Sequence, residues 1–250
     1  MKPAKRRADE LLSERGFAES PREAAALILA AKVLVVDAQG RERRLEKAGE
    51  RLDAAVRFRL KGERGPWVSR AGGKLEAGLT AFKVEVQDRV ALDLGLSTGG
   101  FTDCLLSRGA RRVHGVDVAY GVVNWRLRND PRLVLHERTN ARSLTLEHLG
   151  EAVDVVVADL SFIGLRAIWP VLPPLLSPDA EMVVLVKPQF ELPRDRVPGG
   201  VVSHPGDRQA ALNLAREGAK QAGLAPGEAV ESPVRGREGN IEWLLHVRRR

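Results

Sequence analysis

Four side chains of this sequence stand where an open α/β sheet does chemistry. Lys187 follows the apolar run Met182–Val186 and precedes Pro188, which puts an ammonium at the carboxyl end of a predicted central strand. Asp159 ends the run Val153–Ala158 in the same way. Lys74 lies in Ser69-Arg-Ala-Gly-Gly-Lys-Leu75, and Glu242 lies within the predicted strand Ile241-Glu-Trp-Leu-Leu-His-Val247. Amines and carboxylates together are the types that orient a weak nucleophile and take up its proton. Each residue also has an ordinary alternative: a solvated lysine, a helix N-cap at Asp159, an outward strand position for Glu242.

What these groups would act beside is set by Ala91-Leu-Asp-Leu-Gly-Leu-Ser-Thr-Gly-Gly-Phe101. An apolar run carrying Asp93 ends in a glycine turn, and a helical pattern begins at Thr102. A second apolar run, Val113-His-Gly-Val-Asp117, ends in another acid. Glycines let a backbone approach a nucleoside cofactor, and the second acid accepts from ribose hydroxyls. The spacing of Gly95, Gly99 and Gly100 is not the Gly-x-Gly-x-x-Gly of dinucleotide sites, and the Gly-Lys-Ser/Thr of a phosphate loop is absent. S-adenosyl-L-methionine has no phosphate and asks only for backbone partners to its carboxylate and amine. A plain strand-turn-helix corner is the alternative.

Other residues narrow the chemistry. Leu160-Ser-Phe162 follows Asp159 in place of the Asn/Asp-Pro-Pro-Tyr expected for methylation of an exocyclic amine. Cys104 falls inside the helix after the turn, not in a Pro-Cys loop, which argues against covalent attack on a pyrimidine. The five histidines are scattered without ligand spacing, so no metal site is expected.

The elements that must position these groups read as α/β. Strands are predicted at Val90–Leu94, Arg112–Val116, Leu133–Leu135, Val153–Ala158 and Met182–Val186, with helices at Lys74–Phe82, Phe101–Ser107, Gly164–Leu172 and Gly206–Ala222. The alternation implies a mostly parallel sheet. A terminal hairpin, Glu228–Val234 with Ile241–Val247 around Arg235-Gly-Arg-Glu-Gly239, adds an antiparallel edge strand, the variant typical of methyltransferases. Before this lies a small α+β unit over residues 5–62: a helix Ala8–Arg15 stopped at Gly16, a helix capped by Ser20-Pro21 running to Ala31, a strand Lys32–Asp37, a turn at Ala38-Gln-Gly40, and a second strand at Ala54–Phe58. Residues 63–72 read as a linker, and 73–250 as the catalytic domain.

Composition bounds the partners. The chain has 250 residues, 44% of them hydrophobic, enough for a real core. Its net charge of +7 points to a polyanion, most simply nucleic acid, although an arginine-rich codon bias gives the same balance. A single cysteine excludes an intrachain disulfide and fits the cytoplasm. No apolar run approaches the roughly 20 residues that span a bilayer, and the basic N-terminus lacks the apolar segment of a signal peptide.

At this point the residues resemble a known family. The order Lys74, Asp159, Lys187, Glu242 resembles the Lys-Asp-Lys-Glu tetrad of FtsJ-type ribose 2′-O-methyltransferases. Trp67-Val-Ser-Arg-Ala-Gly-Gly-Lys-Leu75, Asp93-Leu-Gly-Leu-Ser-Thr-Gly-Gly-Phe101, Gly115-Val-Asp-Val-Ala-Tyr-Gly121, Thr139-Asn-Ala-Arg142, Asp159-Leu-Ser-Phe162, Val186-Lys-Pro-Gln-Phe-Glu191 and Gly239-Asn-Ile-Glu-Trp243 are similar to the TlyA (hemolysin A-like) family. The N-terminal unit resembles the RNA-binding fold named for ribosomal protein S-four. It departs from that pattern at Ser20-Pro21, at Ala31-Lys32-Val33 and at Asp37-Ala-Gln-Gly40.

The resemblance implies a Rossmann-like methyltransferase sheet using S-adenosyl-L-methionine. It implies catalytic Lys74, Asp159, Lys187 and Glu242, with the cofactor held by Asp93, Gly95, Ser97, Thr98, Gly99, Gly100, Phe101, Asp117 and Asn140. The implied substrate is a cytidine ribose in ribosomal RNA of the large subunit, with family members differing on a small-subunit target. Ribosomal RNA would be gripped through Arg22, Lys32, Arg41, Arg43, Arg44 and Arg70. The residue types admit two roles for Lys187, orienting the hydroxyl alone or accepting its proton as well. Trp67 would either stack on a base or pack between the two domains. Three other readings compete. A non-catalytic ribosome assembly factor would have lost part of the tetrad. A membrane-lytic hemolysin would need an amphipathic or spanning segment. A small-molecule methyltransferase would have no use for the basic N-terminal unit.

Overall fold

Continuous apolar runs such as Val153–Ala158 and Met182–Val186 satisfy strands buried on both faces, and the sheet is built around them. The computed structural model describes residues 5–15, 17–18, 20–37, 40–54, 56–60, 67–236 and 238–250. The predicted helix stop at Gly16, the turn residues Ala38 and Gln39, the linker residues up to 66 and Arg237 of the hairpin loop lie outside them. The chain divides into two compact units, residues 1–64 and 65–250.

The first unit runs β1 (Lys5–Arg7), α1 (Ala8–Glu14), α2 (Pro21–Leu29), β2 (Val33–Val36), β3 (Glu42–Arg44), β4 (Arg51–Asp53) and β5 (Arg57–Leu60). The Ser20 side chain accepts from the Glu23 N–H at 3.2 Å and Pro21 opens α2, as the sequence predicts. A small core of Leu11, Leu12, Ile28, Val33, Val35, Leu45, Leu52 and Phe58 holds the unit together. β3-β2-β5 form one antiparallel sheet and β1-β4 a second pair. The predicted strand at Ala54–Phe58 is displaced: pairing occurs at Arg51–Asp53 and Arg57–Leu60, with a turn at Ala54 between them. β1 and β3 are exposed and charged, so neither shows the alternation that marks a strand.

The second unit runs α3 (Ala71–Phe82), β6 (Val90–Leu94), α4 (Gly100–Ser107), β7 (Arg112–Val116), α5 (Trp125–Arg128), β8 (Leu133–His136), α6 (Leu146–Leu149), β9 (Val153–Ala158), β10 (Leu176–Val186), α7 (Pro188–Glu191), α8 (Pro205–Gln221), β11 (Leu224–Glu231) and β12 (Trp243–Arg249). The sheet order is β11-β12-β10-β9-β6-β7-β8. β10, β9, β6, β7 and β8 are parallel neighbours, and β12 runs antiparallel between β10 and β11. The antiparallel strand is therefore one place in from the edge, not at it. Apolar cores cover both faces, one around Trp169 and Met182, the other around Leu75, Leu79 and Leu105.

Two other expectations are corrected. Gly164–Leu172 is not an α-helix: Leu165–Ala167, Trp169–Val171 and Pro173–Leu175 are three 3₁₀ turns. Pro170, Pro173 and Pro174 lack the N–H groups an α-helix needs there. The terminal strands lie at Leu224–Glu231 and Trp243–Arg249, so Glu242 stands immediately before its strand, not within it. No helix among the described residues is long and apolar enough to cross a membrane.

Candidate active site

The chain brings its four odd residues to one place by ending four elements there. Lys74 sits on the inward face of α3 with Leu75, Gly78, Leu79 and Phe82, the i, i+4 set of a helix laid on a sheet. A Cβ at position 78 would come within 2.8 Å of Val183 Cγ1, so glycine lets α3 approach β10 closely. Asp159 and Lys187 each follow the last residue of a parallel strand, β9 and β10, and Glu242 precedes β12. All four line a single cavity of about 270 Å³.

Their contacts are paired. Lys74 Nζ donates to Glu242 Oε2 at 2.5 Å, with both residues buried. Lys187 Nζ lies 2.6 Å from Asp159 Oδ1 and donates to Ser161 Oγ at 3.3 Å. The charges compensate within each pair, as buried ions require.

The glycine turn forms a further part of the wall, adjoining the Asp159 strand end. Gly95, Ser97, Thr98, Gly100 and Phe101 line the cavity, together with Ser69 and Arg70. Gly95 adopts φ +85°, and a Cβ there would come within 2.7 Å of the Asp159 carbonyl oxygen. The turn and the Asp159 strand end can lie this close only with glycine at position 95.

Asp93, Gly99, Asp117 and Asn140 do not line the cavity. Asp117 accepts from the N–H groups of Ser97 at 2.7 Å and Ala119 at 2.8 Å, so it braces the turn from the β7 side. The Asn140 side chain accepts from the Arg142 N–H at 3.0 Å and caps a 3₁₀ turn. Thr139 N–H reaches the Asp117 carbonyl at 3.0 Å, which keeps this segment beside Asp117. Asp93 is fully buried and accepts from Thr102 Oγ1 at 2.7 Å, while its Oδ1 has no partner.

Burial pushes the Asp93 carboxyl up from 3.8 to about 7. The folded chain therefore keeps a proton that the unfolded chain has already released, and stability falls as pH rises through this interval. Asp93→Asn keeps the acceptor for Thr102 and is expected to gain stability over the native protein at pH 8 but not at pH 3.5. Urea midpoints at the two pH values check this; an equal difference at both would contradict it. Glu191, pushed up by burial to about 7, adds a slope of the same sign in both proteins.

Several contributors escape the sequence reading. Glu191 Oε1 accepts from the Leu165 N–H at 2.7 Å and fixes the segment carrying Ser161 and Phe162. Buried Asn240 accepts from the Val202 N–H at 2.8 Å and donates to the Gly200 carbonyl at 2.9 Å, tying the loop before Glu242 in place. Trp67, expected either to stack on a base or to pack between the two domains, packs its side chain against Gly72 within the second unit.

A second cavity, of about 430 Å³, shares Ser161, Lys187 and Glu242 with the first. Phe162 and Phe190 line it, with ring centroids 5.8 Å apart and Lys187 Nζ 5.9 Å from the Phe190 ring. Phe162 is 89% exposed and held at φ +70°. An aromatic residue in the left-handed region is strained, and such strain gathers at ligand sites. The only trace of this in the sequence is Leu160-Ser-Phe162 standing in place of a Pro-Pro-Tyr segment.

The FtsJ-like methyltransferase family matches residues 67–249. The chain is 44% identical to the 16S/23S rRNA (cytidine-2′-O)-methyltransferase TlyA of Mycobacterium tuberculosis, over 97% of this chain and 89% of the relative. It is 35% identical to Hemolysin A of Brachyspira hyodysenteriae, over 96% and 98% of the two chains. A solved structure from Streptococcus thermophilus that carries a hemolysin designation superposes with a TM-score of 0.74 at 35% identity, covering 98% of this chain and 89% of that one.

Proposed function

The chain belongs to the FtsJ-like methyltransferase family, in its TlyA group, and on that premise we propose that it transfers the methyl group of S-adenosyl-L-methionine to the ribose 2′-hydroxyl of a cytidine in ribosomal RNA. The observation that carries this reading is the position of Lys187, ion-paired with Asp159 at 2.6 Å where the two cavities meet.

The first cavity fits the cofactor by the chemistry of its wall. It offers a turn at Gly95–Phe101 that a side chain at 95 would close, and paired ions in the same lining. Gly95, Ser97, Thr98 and Gly100 would hold the methionine portion, with Gly99 shaping the turn against Leu127, and Asp117, bonded to the turn through Ser97 just outside the cavity, would hold the ribose. Bound there, the cofactor supplies a methyl group on a sulfonium that leaves as a neutral thioether.

The remaining work belongs to this chain. A ribose hydroxyl is a weak nucleophile, so alignment with the methyl group dominates; holding the partners at about 3 Å can account for roughly 7–11 kcal/mol of barrier. Lys187 Nζ donates to Ser161, is held in place by the Asp159 charge, and turns a remaining N–H toward the cavities to hold the hydroxyl oxygen. As the new O–C bond forms, the hydroxyl proton passes to the Lys187–Asp159 pair. The Lys74–Glu242 pair walls the site behind the reacting atoms without adding net charge. Phe162 and Phe190 supply a face for the base of a nucleotide turned out of its stack.

The first unit supplies affinity. Arg22, Lys32, Arg41, Arg43 and Arg44 are exposed on its surface, and Arg70 opens α3 beside the cavity. Phosphate contacts of this kind weaken steeply with salt. The test is incubation of the full chain with methyl-labelled S-adenosyl-L-methionine and ribosomal subunits from a strain lacking this enzyme. RNA labelling that falls as salt rises is expected; label in neither subunit would overturn the reading.

A further inference from the structure

Resting on that reading, we infer that Gln189 selects the base of the target nucleotide, accepting the exocyclic amine of cytosine within the second cavity. Buried polar atoms in folded proteins are almost always partnered, so an orphan asks for a cause. Among the described residues, four buried side-chain atoms have no partner: Asp93 Oδ1, Trp169 Nε1, Gln189 Oε1 and Trp243 Nε1. Gln189 alone among these lines either cavity of the site; its Oε1 is closed to solvent as the side chain stands, so the amide turns toward the cavity to meet a base.

Its place in the chain suits the role. Gln189 lies two residues after Lys187, in α7, between the residue that holds the hydroxyl and Phe190 of the aromatic face. A nucleoside whose ribose meets Lys187 directs its base into the cavity that Phe162, Phe190 and Gln189 line together. The remaining polar groups of that cavity sharpen the choice. Glu238 and Glu242 line it with carboxylates, which only accept, and Ser161 adds a hydroxyl. Cytosine presents an amine at C4, whereas uracil presents a carbonyl oxygen there. A lining rich in acceptors pairs with the amine and leaves the carbonyl facing other acceptors, the arrangement that rejects a near-isosteric substrate. An amide turned end for end would lose this preference at position 189 itself; the carboxylate of Glu238, an acceptor either way round, retains it.

The test uses the full chain with ribosomal subunits lacking the modification, nucleoside mass spectrometry for the product, and calorimetry for S-adenosyl-L-methionine. Gln189→Leu keeps the volume and removes the acceptor. It is expected to lower kcat/KM for 2′-O-methylcytidine formation about 10- to 100-fold, the range of one base-edge hydrogen-bonding contact, with cofactor affinity unchanged. Gln189→Glu, which keeps an acceptor, should restore most of that loss. Glu238→Ala, at an exposed position, should lower cytidine turnover several-fold with the fold intact. Native kcat/KM in Gln189→Leu would overturn the inference and leave the proposed function standing. So would loss of cofactor binding in that variant, since it would assign Gln189 a merely structural part. Native protein that binds the cofactor yet forms no 2′-O-methylcytidine would overturn both.

Discussion

Lys187→Ala is expected to lower the rate of methyl transfer by about 10³-fold or more, within the range that a positioned proton-transfer group contributes, while cofactor affinity falls far less. Nζ is the only described ammonium held between Asp159 and Ser161 where the two cavities join. Alanine leaves the acceptor hydroxyl without its anchor and strands the Asp159 carboxylate beside it. The glycine turn that lines the same cavity, and is proposed to hold the cofactor, is untouched. Asp159→Ala is expected to act in the same direction, because it frees Lys187 Nζ to swing. Lys187→Arg should not rescue, since a planar fork cannot occupy the space of a compact ammonium. Single-turnover transfer and calorimetry on the same preparations separate the two effects. Full activity in either alanine variant would remove the catalytic assignment of the pair.

Lys74→Met is expected to cost stability as well as activity. Glu242 is 2% exposed and its Oε2 accepts from Lys74 at 2.5 Å. Removing the amine leaves a buried carboxylate without its counter-charge, at a cost of about 3–5 kcal/mol. For a unit of this size that is a drop in Tm on the order of 10 °C. Replacing both partners, Lys74→Met with Glu242→Leu, removes the stranded charge and should recover most of the stability, since apolar pairs of similar volume substitute well for buried ions. Activity should not return. A single variant that melts with the native protein would show that Glu242 finds another partner or reaches solvent.

The parts of the fold that were legible from the sequence are those where burial dictates residue type. β6, β7 and β9 are read from their apolar runs to the residue, because a strand covered on both faces admits little else. The same runs locate Asp159 and Lys187, since a charged side chain straight after a buried strand has only the strand end to occupy. Prolines and exposed charges hid the rest. Trp169-Pro170 and Pro173-Pro174 sit in an apolar stretch whose periodicity suggests a helix, but only 3₁₀ turns tolerate them. β3 carries Glu42, Arg43 and Arg44, all exposed, and owes its pairing to β2. Within the site, Gly95–Phe101 was readable because close approach demands glycine. Asp93, by contrast, is turned beneath the turn toward Thr102, which sequence alone does not distinguish from a contact with ligand. The left-handed Phe162 and the orphaned Gln189 oxygen are properties of packing, and no residue pattern announces them.

The atom that receives the methyl group distinguishes ribose methylation from every other outcome. Ribosomal subunits lacking the modification, incubated with the full chain and isotopically labelled S-adenosyl-L-methionine, are digested to nucleosides and analysed by mass spectrometry. Label in 2′-O-methylcytidine is expected with the native protein and none with Lys187→Ala. Label on a nucleobase would contradict ribose methylation, and label in 2′-O-methylcytidine at equal yield from both proteins would contradict the role of Lys187.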